Sequence, residues 1–210
     1  MVVDRPDRRR SPIRRALSRP AFRRLFFAQT VSRWGDTFNA VAFIIVVFDL
    51  TGSGVKVSGA VAMEIVPVLA FGFIAGTVVD RLPRRRVMIA ADLGRAVIAT
   101  LLAINPDHLW ALYAAAFGLS ALSVFFDPAA ASVTPDLVSQ DELVGANSAI
   151  WSAAVLSQIV LAPVAGAVVA SAGARTAFAI NAASFLVSAA ALTRLPTPAR
   201  PRSRHESRWT

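Results

Sequence analysis

Five ionisable residues sit inside long apolar runs of this 210-residue chain: Arg33, Asp36, Glu64, Asp92 and Arg95. Holding an ionised side chain at the centre of a lipid bilayer costs about 2.5–3.5 kcal/mol even on a lenient insertion scale. Each therefore needs an opposite charge, a hydrogen-bonding neighbour or water. Arg33 and Asp36 are three residues apart, which in a helix puts them on one face, and Asn39 extends that stripe by a turn. Asp92 and Arg95 repeat the spacing in reverse order, and Glu64 lies one turn before Pro67. Groups so placed can carry protons or hold a charged solute along a polar path. The same spacing also serves a structural pair that fixes helix register, and for Asp92 and Arg95 both readings stand. Glu64 lies toward the outer half of its helix, where snorkelling to water is the alternative to a proton or solute site.

A second concentration of charge, Gly76-Thr-Val-Val-Asp80-Arg81-Leu-Pro83-Arg84-Arg85-Arg86, separates the apolar stretches 57–79 and 87–104. In a six-span layout Asp127, Asp136, Asp141 and Glu142 fall on the same side as these arginines, so a gate of opposite charges is expected there. Within that group Ser139-Gln-Asp-Glu142 fits a capping box for the following helix, which gives Glu142 a structural role.

Catalytic chemistry has little to work with. There is no cysteine, and His108 and His205 are the two histidines, so neither a disulfide framework nor a thiolate or histidine metal site is expected. No Ser/His/Asp arrangement or phosphate-cradling loop stands at interpretable spacing, so the chain does not read as an enzyme, and nothing in it calls for a cofactor. The net charge of +9 raises nucleic acid as a partner, but no recognition motif accompanies it and the basic residues are distributed otherwise.

The elements that must position these groups are long apolar helices. Hydrophobic residues make up 55% of the chain and the mean hydropathy is +0.56, which leaves too little polar surface to cover a soluble core. An apolar helix of about 20 residues matches the hydrocarbon thickness of a bilayer, and six are expected, at about 25–48, 57–79, 87–104, 109–133, 144–170 and 175–193. Nine of the 22 basic residues precede residue 25, four lie in 81–86 and five follow residue 193, all on one side of that layout; the opposite side has Lys56 and Arg175. This bias predicts both termini in the cytoplasm of a multi-pass cell-membrane protein, with the lipid bilayer as its first partner. Residues 1–17 are expected to be mobile, Ser18-Arg19-Pro20 to open the first span, and the Pro- and Arg-rich residues 195–210 to be a disordered tail or linker. Gly72 and Gly76 form a small-xxx-small pair suited to close helix approach, and Pro163 with Gly166 marks a bend in the fifth span.

Gly76-x-x-x-Asp80-Arg81-x-x-Arg84-Arg85, placed between the second and third spans, resembles the signature of the major facilitator superfamily. Trp34-Gly35-Asp36, Phe126-Asp127-Pro128-Ala129 and Pro135-Asp136-Leu137-Val138 are similar to its drug-efflux branch, which includes macrolide and enterobactin exporters. The resemblance covers roughly residues 18–194 and implies an all-α membrane protein whose six transmembrane helices form one half of that fold. It further implies secondary transport by alternating access, with Asp80 helping to lock the cytoplasmic side against a second half and the arginines meeting nearby acids. Pro83 replaces the usual glycine of the signature, and Ala162-Pro163-x-Ala165-Gly166 only approximates the antiporter motif. The family's arginine motif in the fourth span is not found. The implied partners are a small-molecule solute, protons, and either a second six-helix half or a homodimer partner. The other readings are a non-transporting membrane interaction protein and an inactive remnant.

Overall fold

The computed structural model describes residues 11–196. They form seven α-helices and, among the described residues, no strand: α1 (Pro12–Ser18), α2 (Pro20–Thr51), α3 (Gly54–Arg81), α4 (Arg84–Ile104), α5 (Leu109–Leu137), α6 (Leu143–Ala172) and α7 (Ala174–Thr193). Helices α2 to α7 are the six long and apolar enough to cross a membrane. Helix α2 starts, and α5 ends, a turn or more beyond the expected span, because backbone hydrogen bonding carries a helix beyond the hydrocarbon into the polar interface.

Short breaks separate the helices. Helix α2 ends where Gly52 takes a left-handed conformation (φ 59°) and its N–H donates to the Phe48 carbonyl, a geometry that is cheap only for glycine. Between α3 and α4 only Leu82 and Pro83 intervene. Pro83 is the N-cap of α4, and its carbonyl accepts from the N–H groups of Arg86 and Val87 at 2.8 and 3.2 Å. Proline fits there because no partner is required for its missing N–H. Helix α6 continues through Pro163 and Gly166, and a Cβ at Gly166 would meet open space. Gly72 and Gly76 likewise have open space beside them, with no helix of this chain seated on the pair.

Helix α2 packs on α7 and α6, α4 on α7 and α5, and α3 on α5. Exchanging α2, α3 and α4 for α5, α6 and α7 maps this set of pairings onto itself. Successive spans alternate in direction, so the two three-helix units are related as inverted repeats. Phe43 and Phe178 meet edge to face at 5.6 Å within one core cluster, and Leu25, Met88, Phe126 and Leu192 anchor a second near the arginine-rich end. Helices α3 and α6 lie outermost: 11% and 6% of their most apolar windows are buried, against 50% for α7.

Residues 12–18, largely within the segment expected to be mobile, form helix α1. Ser11 Oγ accepts from the Arg14 N–H, Pro12 occupies the first turn, and Ala16 is fully buried in a small cluster with Phe22 and Ala146. Gly145 makes this possible, since a Cβ there would stand 2.7 Å from the Ile13 nitrogen. Ser18 closes α1 instead of capping α2, its hydroxyl donating to the Arg15 carbonyl. The remainder of the 1–17 segment, residues 1–10, and residues 197–210 of the expected tail lie outside the described residues.

Candidate transport cavity and signature loop

An open cavity of about 700 Å³ is lined by α2, α3, α5 and α6. Gln29, Arg33 and Asp36 reach it from α2, and Asn147, Trp151 and Gln158 from α6. Their spacings of three, four and seven residues follow one helical face. Glu64 enters from α3, and Ser120, Ser123, Asp127 and Thr134 from α5. A water-sized chamber of about 30 Å³ adjoins it between Ser32, Asp36, Arg95 and Ser123. Of the five intramembrane charges, Arg33, Asp36 and Glu64 line the main cavity, Arg95 lines the chamber, and Asp92 is sealed behind it with no exposed surface.

The pairing within α2 differs from the i,i+3 expectation. Arg33 reaches across to Asp127 of α5 at 3.4 Å, and Asp36 makes no hydrogen bond or ion pair among the described residues. Cross-helix pairing with Asp127 joins two walls of the cavity, so among the described residues Asp127 pairs with Arg33 rather than with a signature arginine. Glu64 also lacks a side-chain partner among the described residues, although its backbone carbonyl accepts from Ser120 Oγ and so joins α3 to α5.

Asp92 and Arg95 pair within α4, and both are buried. Ser188 of α7 donates to Asp92 Oδ2 at 2.7 Å, and Arg95 donates to Ser123 of α5 at 3.3 Å. The guanidinium also lies against the rings of Phe126 and Phe185, 4.4 and 4.5 Å from their centroids. Cation–π attraction is strongest when the cation is desolvated, so Arg95 joins α4, α5 and α7 at one point.

At the arginine-rich end, Asp80 is exposed in the last turn of α3 and has no hydrogen bond or ion pair among the described residues. Arg84 donates to the Ser132 carbonyl at 2.8 Å and to Asp136 at 3.1 Å. Arg85 donates to the Leu195 carbonyl at 3.1 Å, satisfying a backbone acceptor just beyond α7. Arg81, next to Asp80, and Arg86 are exposed. Among the described residues, Asp136 of the expected acidic gate meets a signature arginine, Arg84, through a defined pair.

Asp141 and Glu142 instead hold α1. Arg15 donates to Asp141 at 2.9 Å, and Arg19 donates to both carboxylate oxygens of Glu142 at 3.2 and 3.4 Å. Glu142 also accepts from the Ser139 backbone N–H at 3.1 Å, the reach-back half of the capping box. Hydrogen bonds from Ser139 and its own backbone, with Arg15 nearby, hold the Asp141 carboxyl below its ordinary value. Burial pushes Glu142 upward, but the Ser139 and Arg19 hydrogen bonds outweigh it and leave this carboxyl below the usual range too.

The uncharged lining residues Gln29, Ser123, Asn147, Trp151 and Gln158 are absent from the charge-based expectation. Their signal was available: Asn147, Trp151 and Gln158 recur at four and seven residues along an otherwise apolar helix.

Residues 25–210 match the Major Facilitator Superfamily. The chain is 27% identical over 190 residues to an uncharacterized MFS-type transporter, YfiS, of Bacillus subtilis, covering 87% of this chain and 45% of that protein. It is 31% identical over 126 residues to macrolide efflux protein A of Streptococcus pyogenes, covering 58% and 31%. With the multidrug efflux pump Tap of Mycobacterium tuberculosis it shares 30% identity over 203 residues, covering 90% and 47%. It thus spans less than half the length of each of these relatives. With six apolar helices, four of them walling a charged cavity, and a family match over most of its length, the chain belongs to the major facilitator superfamily.

Proposed function

We propose that this chain supplies the N-terminal six-helix half of an efflux transporter that exchanges protons for a hydrophobic drug-like or siderophore-like solute by alternating access. The observation that carries this reading is the cavity of about 700 Å³, drug-sized, walled by four helices and lined by ionisable groups from three of them. The little-buried α3 and α6 beside it leave an apolar face for a second six-helix half or a second copy of this chain. The macrolide and multidrug efflux proteins among its relatives support the outward direction. The arginine bias supports a cell-membrane orientation with both termini on the cytoplasmic side. There Asp80 gates against the second half while Arg84 and Asp136 tie α4 to α5.

The open Gly72–Gly76 face favours helix association as a second reading, in which the chain is a non-transporting membrane subunit. Proteoliposomes with an internal pH indicator separate the two. Proton movement on adding a macrolide, by this chain alone or joined by a second six-helix half, supports transport. Assembly with no proton or macrolide movement in either preparation supports the subunit reading.

A further inference from the structure

The charged groups of the cavity are unequal in number. In and directly behind its wall stand four carboxylates, Asp36, Glu64, Asp92 and Asp127, and two guanidiniums, Arg33 and Arg95. Both cations are engaged: Arg33 with Asp127 at 3.4 Å, and Arg95 with Asp92 between two phenylalanine rings. Asp36 and Glu64 keep no ion pair among the described residues, and the two acids repel one another. Asn39, 7% exposed and part of the same lining, has a side-chain oxygen with no hydrogen-bond partner. Trp151, 73% exposed, adds a large aromatic surface.

From this we infer that the cavity selects organic cations, solutes bearing a protonated or quaternary nitrogen on a bulky apolar body, with Asp36 and Glu64 supplying the counter-charge and Trp151 the aromatic contact. An unpaired carboxylate facing a low-dielectric space is offset most effectively by a cation, and the same cation is attracted to an indole face. An anionic solute, an ionised siderophore included, meets a wall with two more carboxylates than guanidiniums when both acids are ionised. The inference deepens the transport reading by taking the cavity as the solute's path, but it concerns binding and is tested without flux.

Tetraphenylphosphonium and tetraphenylborate share a shape and carry opposite charge. The full chain in lipid nanodiscs is dialysed against each ion, and the uptake of empty nanodiscs of the same lipid is subtracted. Protein-dependent binding of tetraphenylphosphonium in excess of tetraphenylborate is expected, weakened about tenfold by Asp36→Asn and by Glu64→Gln. Asp107→Asn removes an equal charge from a residue paired with Arg175 and away from the cavity, and leaves binding unchanged. Equal or greater binding of tetraphenylborate, no binding of either ion, or full binding in both cavity variants overturns the inference. Cation selectivity without any flux leaves it standing while the transport reading fails; flux with anion selectivity does the reverse.

Discussion

Arg95 pairs with Asp92 one turn below it on α4, and neither side chain is more than 3% exposed. The pair does not stand alone: Ser188 comes from α7, Ser123 and Phe126 from α5, and Phe185 from α7. Through these contacts the two helices without main-cavity side chains, α4 and α7, are locked to a helix that has many.

Breaking the pair from one side is therefore expected to cost more than removing both charges. Asp92→Asn or Arg95→Met alone should each destabilise the chain by about 3–5 kcal/mol, because each leaves one buried charge without its partner. The Asp92→Asn/Arg95→Met double variant should recover a large part of that loss. Thermal unfolding in detergent micelles, followed by helical circular dichroism, measures all three. Additive losses would show that the two residues are not coupled.

Gly35 tests a second contact. Its missing Cβ leaves room for α7, since a methyl there would stand 2.6 Å from Asn181 Oδ1 and collide with Ser184. Gly35→Ala should push α2 from α7 and cost about 1–3 kcal/mol by overpacking, whereas Gly166→Ala, facing open space, should be close to neutral or slightly stabilising. Equal unfolding temperatures for the two variants would remove the close-packing account of Gly35.

Much of this was legible before any coordinates, for physical reasons. A span must be apolar over its whole length, so the six spans announce themselves; a buried charge is costly, so Asp92 and Arg95 announce that they need each other. Arg33 was ambiguous because Asp36 lies three residues away while Asp127 lies 94 away, and sequence spacing reports only the nearer candidate. Helix α1 was hidden for a related reason. Seven residues make too little helix to form without tertiary support, and its support is Gly145, Ala146, Asp141 and Glu142, more than a hundred residues downstream. Asn147 and Gln158 escaped because uncharged amides are cheaper to bury than charges.

The attachment of α1 should be sensitive to acid. Both Asp141 and Glu142 titrate below their ordinary values in the folded chain. Folded values lower than unfolded ones mean that the stabilisation is fully present above about pH 4–4.5, the unfolded carboxylate range, and is lost as pH falls further through the folded values. Amide hydrogen exchange in residues 12–18 should accelerate below about pH 4 beyond the intrinsic rate. Glu142→Gln should show faster exchange already at neutral pH, since it removes the acceptor of Arg19. An exchange profile parallel to the intrinsic rate would show that packing around Ala16, not charge, holds the helix.

Asp80 and Arg84 sit four residues apart across the two-residue break between α3 and α4, and their variants should fail in different ways. Arg84 bonds both the Ser132 carbonyl and Asp136, so Arg84→Ala loosens the joint between α4 and α5. Its partners are half exposed, so the expected cost is modest, about 1 kcal/mol. Asp80 has no hydrogen bond or ion pair among the described residues, so Asp80→Asn should leave the unfolding temperature of this chain unchanged. If its partner is supplied by a second six-helix half, the same substitution should sharply reduce macrolide-driven proton movement in the assembled transporter. Normal transport by Asp80→Asn would remove the gating role, and a lowered unfolding temperature would place the partner of Asp80 within this chain instead.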